Sequence, residues 1–320
     1  MKSVLLSLLL SLPTTSTVPT ELQQLFEQAR YPQLLQQLQQ VEPNAALQLL
    51  KAKALIQQQQ REEANTLLNE LVIAYPNDVA ILTQAALNKV ALANDGSLFQ
   101  ARKRATDALA LFQQAVELDA HFYPAQQALI TFYQTAPANV GGSKSLAAEQ
   151  ANRLQQLNAV QGVLAKVMIA VNESRLNEAL AMLEQQLQLS INQPDLLLRK
   201  ATLLAQQNAY LAAQEAYLKA LPFLTDPIQQ YSSRFQIGRL AVFTNQYQQQ
   251  GIEALESYLA YYQGSQQSRV SRAKLRLAQL YLQQGNKEKA RSLYLQIAEV
   301  LTEEQDFLDA RSKLGSLLQQ

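Results

Sequence analysis

The stretch SRAKLRLAQLYLQQGNKEKARSLYLQIA, Ser271 to Ala298, decides how the rest of the chain is read. On both sides of QQGNKEK the apolar residues recur every three or four positions, the spacing of two amphipathic helices and not of strands. Gly285 stands where a helix C-cap needs a positive φ. Ala278 and Ala290, small and on opposite sides of the turn, predict a close crossing of the two helices, with Leu277, Tyr281 and Tyr294 around it. A short helix pair can bury only one face, so it needs neighbours of the same kind.

The neighbours are there. Ala213 in AYLAAQEAYLKAL follows Ala179 in SRLNEALAML by 34 residues (213 minus 179), and Ala201, Leu204, Tyr217 and Ala220 complete that unit. Ala52, Leu55, Ala64, Leu68 and Pro76 fall on the same spacing near the N-terminus. A period of this length marks stacked helix pairs. In its small, aromatic, glycine and proline positions the pattern resembles the tetratricopeptide repeat. The resemblance extends over nearly all of residues 21–320, with modified units between the regular ones. Residues 79–129 keep Ala108, Phe112 and Ala115 but add residues between the helices, and residues 227–262 place Gly238 at the small position, with Ala254 and Tyr258 in the second helix. Expanded turns are therefore expected near 93–103, 135–145 and 244–252. The ends are atypical, as caps are: a short pair at 21–40 and a lone helix at 303–320. The resemblance implies an all-α fold over 17–320, a right-handed α-solenoid of stacked helix-turn-helix repeats.

Composition agrees. Hydrophobic residues make up 48% of the 320, while nine glycines and ten prolines are few for so long a chain, which favours helix nearly throughout. Glutamine runs such as IQQQQREEA and NQYQQQG sit between regularly spaced leucines and alanines and read as neutral solvent faces. The formal net charge of +1 lacks the electrostatic footprint of a nucleic-acid binder, so nucleic acid is not an expected partner.

The chain begins MKSVLLSLLLSLPTTSTVPTELQQ. Lys2, the apolar run Val4–Leu12 and the small residues Thr14–Thr17 match a secretory signal, expected over residues 1–16 with cleavage near Ser16. The run is too short to span a bilayer, so no transmembrane segment is expected in the mature chain. The expected location is periplasmic or secreted, which suits a chain without cysteine.

Catalytic chemistry finds little to work with. His121 is the only histidine and there is no cysteine, which removes Cys–His pairs and multi-histidine metal sites within one chain, and His121 sits in ELDAHFYP at the join between two repeats. Glu62–Glu63 and Glu303–Glu304 are adjacent residues that do not share a helix face, and Arg102–Arg104 reads as a solvated cluster. The stretch TAPANVGGSKSLAAEQ, Thr135 to Gln150, places two glycines before Ser143 and Lys144, but it lacks the first glycine of a phosphate loop and follows a helical pattern. It reads as a helix–helix connection, with Ser143 or Ser145 capping the next helix. Its AP…GG turn also resembles one found in a bacterial, mostly exported subgroup of tetratricopeptide proteins. Tyr231 and Tyr261–Tyr262 fall less clearly on core positions; aromatic residues of this kind make binding contacts where they are exposed, and their exposure is not set by the sequence pattern. No enzyme activity, cofactor or metal is expected.

The resemblance implies binding of a partner protein or peptide along the concave face built by the first helices. Carried over unit by unit, its groove positions fall on Lys53 and Ile56, then Met168 and Val171, Thr202 and Ala205, Phe235 and Arg239, and finally Arg272, Leu275 and Gln279. Arg272 and Arg276 lie one turn apart, without the asparagines that accompany the carboxylate clamp of some members, and that ligand is not expected. The leading expectation is a non-catalytic scaffold of the bacterial envelope. The alternative is a small-molecule or lipid-binding subunit of an envelope transport system, because expanded units can enclose apolar cavities.

Overall fold

The structure is a computed structural model that describes residues 18–95, 97–265 and 267–319; the signal expected over 1–16 lies outside the described residues. Every regular element among these is helical. The helices come in antiparallel pairs: α1 (Thr20–Glu27) with α2 (Tyr31–Leu38), α3 (Ala45–Gln57) with α4 (Arg61–Ala74), α5 (Val79–Asp95) with α6 (Leu98–Leu118), and α7 (Tyr123–Thr135) with α8 (Lys144–Leu157). Then follow α9 (Ala159–Asn172) with α10 (Leu176–Leu189), α11 (Pro194–Gln206) with α12 (Tyr210–Ala220), α13 (Pro227–Thr244) with α14 (Gln248–Tyr261), α15 (Ser268–Gln283) with α16 (Lys287–Leu295), and a last helix, α17 (Gln305–Gln319). Each pair packs on the next, which makes the chain an α-solenoid.

The repeat register is visible in the burial. In α3, α9, α11, α13 and α15 one residue sits fully inside the crossing: Ala52, Val167, Ala201, Gly238 and Ala278. The residue after it and the residue six before it are half-buried in all five helices, while the flanking apolar residues are buried. Ala179, Ala213 and Ala290 are the 0% exposed counterparts in the second helices. The crossing of α13 on α14 is close: a β-carbon at Gly238 would overlap the Leu255 side chain and approach the Gly251 carbonyl oxygen at 2.9 Å.

The turns share a device that glycine marks only once. Between first and second helix, Ala29, Gln59, Ser174, Asn208 and Gly285 all take positive φ, from 55° to 78°. In each case the next amide reaches back to a carbonyl in the helix just ended, as Asn286 N–H does to Tyr281 O at 2.8 Å and Gln60 N–H to Leu55 O at 3.0 Å. That is the Schellman closure, and side chains other than glycine adopt it at roughly 1 kcal/mol.

Two of the expected expanded turns are short ones. The extra residues near 93–103 lengthen the helices, α5 running to Asp95 and α6 starting at Leu98, and those near 244–252 do the same, with α13 ending at Thr244 and α14 starting at Gln248. Only the connection near 135–145 is a true excursion, with a 3-10 turn at Ala138–Val140.

The solenoid also returns on itself. Ala29 and Tyr31 of the first pair pack into the same core cluster as Phe235, Tyr258 and Tyr262, and Tyr261 Oη donates to Glu27 Oε2 at 3.2 Å. Tyr231 and Tyr261 stack with ring centroids 3.7 Å apart, and Tyr262 is 6% exposed. Tyr231, Tyr261 and Tyr262, whose exposure the sequence pattern left open, therefore form the seam that closes the chain. At the other end α17 lays Phe307 and Leu314 over Leu275, Ala278 and Ile297 and covers the last pair.

Candidate interaction groove

Because the first helices stack side by side, their half-buried residues line up as one wall. Along α7, α9 and α11 the wall is neutral to mixed. Gln127, Thr131, Gln161, Leu164, Met168, Leu198 and Thr202 border a cavity of about 560 Å³, with Asp195 and Arg199 on one side. Thr131 Oγ1 lies 3.0 Å from Met168 Sδ, and Gln127 Nε2 donates to Gln161 Oε1 at 2.7 Å, so adjacent helices are tied across the surface by side chains. Arg199 has its pKa pushed down by burial alone.

Further along, α13 and α15 turn the wall cationic. Phe235, Gln236, Arg239, Arg269, Arg272, Arg276 and Glu304 border a second basin of about 370 Å³. Arg272 is held by Glu304, just before α17, at 2.7 Å and by Asp306 in its first turn at 3.3 Å, and these bonds raise its pKa. Arg276 donates to Gln279 at 2.9 Å, and burial followed by the charge of Arg239 pushes its pKa down, with Asp306 opposing. The guanidinium groups of Arg239 and Arg276 both lie over the Phe243 ring, at 5.7 and 5.1 Å from its centroid.

Of the residues expected in the groove, Met168, Thr202, Arg239, Arg272 and Gln279 present half-buried side chains along this wall. Phe235, 6% exposed, forms the floor of the cationic basin. Lys53 is half-buried at the equivalent place in α3, its ammonium pKa lowered by burial and partly restored by Asp78. Ile56, Val171 and Ala205 pack partly into the layers behind the wall. Leu275 is a correction: it is 1% exposed and covered by α17, so it belongs to the core and not to the groove. The expectation missed Arg269 and Arg199, because it followed fixed positions and not the turn of helix beside them.

A third cavity, about 550 Å³, lies between α5, α6 and α7 where the lengthened pair leaves space. Val90, Ala105, Phe112, Phe132 and Val140 give it an apolar lining, with Arg102 at its border. Arg104 is committed elsewhere, to Glu62 at 2.7 Å and the Leu92 carbonyl at 3.0 Å.

The glycine-rich stretch is a closed turn. Gly141 takes φ 100°, a β-carbon at Gly142 would overlap the Ala136 carbonyl oxygen, and Ser143 caps α8 by accepting from Leu146 N–H at 3.3 Å. Ser143 N–H donates to Tyr133 O at 2.7 Å, and Lys144 faces Glu173 at 3.9 Å on the surface. Its amides are spent on the chain itself. His121 is exposed, and no cluster of three or more His, Cys, Asp or Glu side chains able to hold a metal occurs among the described residues. Among them, too, no helix is long and apolar enough to cross a membrane.

No family model matches the chain, and no curated protein sequence does. Among solved structures it is similar to the Cut9–Hcn1 hetero-tetramer of the APC/C, at 14% identity and a TM-score of 0.48. That match covers 92% of this chain but only 54% of the other, so this chain spans about half the length of that relative. A tetratricopeptide repeat protein of Parabacteroides merdae matches at 12% identity and a TM-score of 0.42, covering 94% of this chain and 96% of the other. PilF of Pseudomonas aeruginosa matches at 17% and 0.44, covering 72% and 99%.

Proposed function

We propose that the chain is a non-catalytic scaffold that binds a segment of a partner protein along the wall of its first helices. The observation that carries this reading is the shared register: α7 to α15 bring half-buried side chains of successive pairs into one continuous surface, with basins of about 560 and 370 Å³. A surface of this kind suits an extended or helical segment, which contacts several units in turn. The bacterial envelope is the compartment proposed for it, on the strength of Lys2 and the Val4–Leu12 run.

The test is photo-crosslinking in cells from a benzophenone amino acid placed at Met168, with Leu189 as the comparison. Leu189 is 77% exposed at the end of α10, on a rim where Ile73 and Leu295 also stand out. A discrete adduct from position 168 is the expected result. An adduct from position 189 alone would move the interface to the rim and overturn the groove reading. N-terminal sequencing of the mature chain tests the envelope assignment, and an intact Met1 would remove it.

One observation favours a second reading. The apolar cavity between α5, α6 and α7 has the size and lining of a small-ligand site. Native mass spectrometry of the gently purified chain would show a retained apolar molecule if that reading holds, and Phe112→Ala would release it.

A further inference from the structure

Three guanidinium groups converge in the basin on α13 and α15 with no carboxylate assigned to them. Arg239 donates to Gln236 at 2.7 Å, Arg269 reaches Ser232 at 3.5 Å, and Arg276 donates to Gln279 at 2.9 Å. All three partners are neutral. Glu304 and Asp306, the acids at this place, are taken by Arg272. Among the described residues no ion pair is formed by Arg239, Arg269 or Arg276.

The fold does not require this arrangement. The equivalent surface on α9 and α11 carries Met168 and Thr202 in the place of Arg239 and Gln279, and Ala165 and Arg199 in that of Gln236 and Arg276, with a fully buried crossing residue behind it in each helix. Bringing like charges together on a half-desolvated floor is unfavourable for the chain alone. An anion entering the basin would reverse the sign of that term. Guanidinium forks on a planar, partly apolar floor match carboxylates, which they can hold through paired N–H···O bonds.

We propose that the basin formed by Arg239, Arg269 and Arg276 receives the acidic side chains of the partner segment, so that the partner is glutamate- or aspartate-rich where it crosses α13 and α15. This rests on the groove reading above and adds the chemistry of the occupant. Two features favour a protein segment over nucleic acid or a free phosphate. The basin continues the neutral wall of α7 to α11, so its occupant has a peptide-like path on one side, and Phe235 offers an apolar floor beside the charges. The net charge of +1 supplies no wider field to hold a polyanion.

The experiment has two arms. In the first, a fluorescein-labelled glutamate-rich peptide, acetylated and amidated so that only side chains carry charge, is titrated by anisotropy at low salt against the full chain. Saturable binding is expected, weakened at least about tenfold by Arg239→Gln with Arg276→Gln. Arg269→Gln alone is expected to weaken it less. Lys287→Gln with Arg291→Gln on the exposed side of α16 should leave it unchanged. Circular dichroism melts confirm that each variant folds. Equal binding of the glutamine version of the peptide, equal binding by the double variant, or competition by inorganic phosphate or duplex DNA at lower concentration than by the unlabelled peptide would each overturn the proposal. In the second arm, crosslinking from position 168 is repeated in the Arg239→Gln, Arg276→Gln background. Loss of the adduct supports the proposal. An undiminished adduct removes the acidic occupant and leaves the scaffold standing, whereas no adduct in either background removes both.

Discussion

At the helix crossing α11 carries Ala201 and α13 carries Gly238; one residue later the first presents Thr202 and the second Arg239. The same comparison between α9 and α15 sets Val167 and Met168 against Ala278 and Gln279, with Ala165 facing the basin in one helix and Arg276 in the other. Burial at the crossing is complete in all four helices, and the residue after the crossing is half-buried in all four. The two stretches thus share a frame while their surfaces differ in charge. Positions that touch the neighbouring helix set the frame, and positions one residue or two away from them are free to carry function. The cationic stretch differs in a second way: directly behind it lies the tyrosine seam to the first pair, with Arg269 over the Phe235 ring at 5.9 Å.

The shared frame is most sharply tested by filling the crossings. Gly238→Leu should cost about 3 kcal/mol, at the upper end for overpacking, because the new side chain meets Leu255 and the Gly251 carbonyl oxygen. Ala201→Leu should cost about 1–3 kcal/mol. Thr202→Ala, on the wall, should stay within about 0.5 kcal/mol. Urea midpoints of the three variants decide it. Unchanged midpoints for both leucine variants would mean that these residues are not the crossings and that the two stretches do not share a register.

The seam behind the cationic stretch should respond to alkali. Burial pushes the Tyr262 hydroxyl up to about 12, with Arg269 opposing and Tyr31, Asp226 and Glu27 adding to the rise. Tyr258, Tyr261 and Tyr281 are raised as well, so the region resists ionisation as a group. A tyrosine that keeps its proton longer when folded stabilises the chain fully below pH 10, and this contribution is lost as pH rises towards 12. The loss attributable to Tyr262 is on the order of 2 kcal/mol. Tyr262→Phe should therefore match the wild type at pH 8 and lose less stability between pH 10 and pH 12. Parallel losses in the two proteins would place the alkali-sensitive group elsewhere. Tyr217, beside the neutral wall, is raised too and serves as the internal comparison through Tyr217→Phe.

Much of the frame was legible because it rests on residues that do one thing. Ala201, Ala213, Ala278 and Ala290 are small where helices cross, and their spacing can be counted. The turns were legible only where glycine marked them: Gly285 announced its φ of 78°, while Gln59, Ser174 and Asn208 take the same conformation without announcing it. Added length was read as loop near 93–103 and 244–252, although the breaks there are short and most of the added residues extend the helices on either side. The closure was not legible at all. The Tyr261–Glu27 bond joins residues 234 apart, and such a contact follows from the accumulated turn of many pairs, which no local pattern records. For the site, fixed repeat positions located the wall but misplaced Leu275, since they carried no knowledge that α17 would cover it.

The smallest expected effect separates two arginines one turn apart. Arg272 and Arg276 both face the cationic basin, yet Arg272 is paired with Glu304 and Asp306, whereas Arg276 has two arginines and a glutamine beside it and feels Asp306 without pairing with it. Arg272→Gln removes a partly exposed ion-pair network and should destabilise the chain by about 0.5–1 kcal/mol, less in high salt. Arg276→Gln loses a hydrogen bond to Gln279, the contact with Phe243 and the attraction of Asp306, but it also relieves burial of the charge, which is the largest effect on Arg276, and its repulsion by Arg239 and Arg272. The relief outweighs the loss at low salt, giving a gain of about 0.5 kcal/mol that fades as screening weakens the repulsion. The two substitutions are chemically identical, so opposite signs at low salt that converge at high salt can come only from their surroundings. Urea melts at two salt concentrations make the measurement. If both variants lose stability equally, Arg276 is paired within the folded chain, and the cationic stretch becomes a variant of the neutral one with its charges balanced.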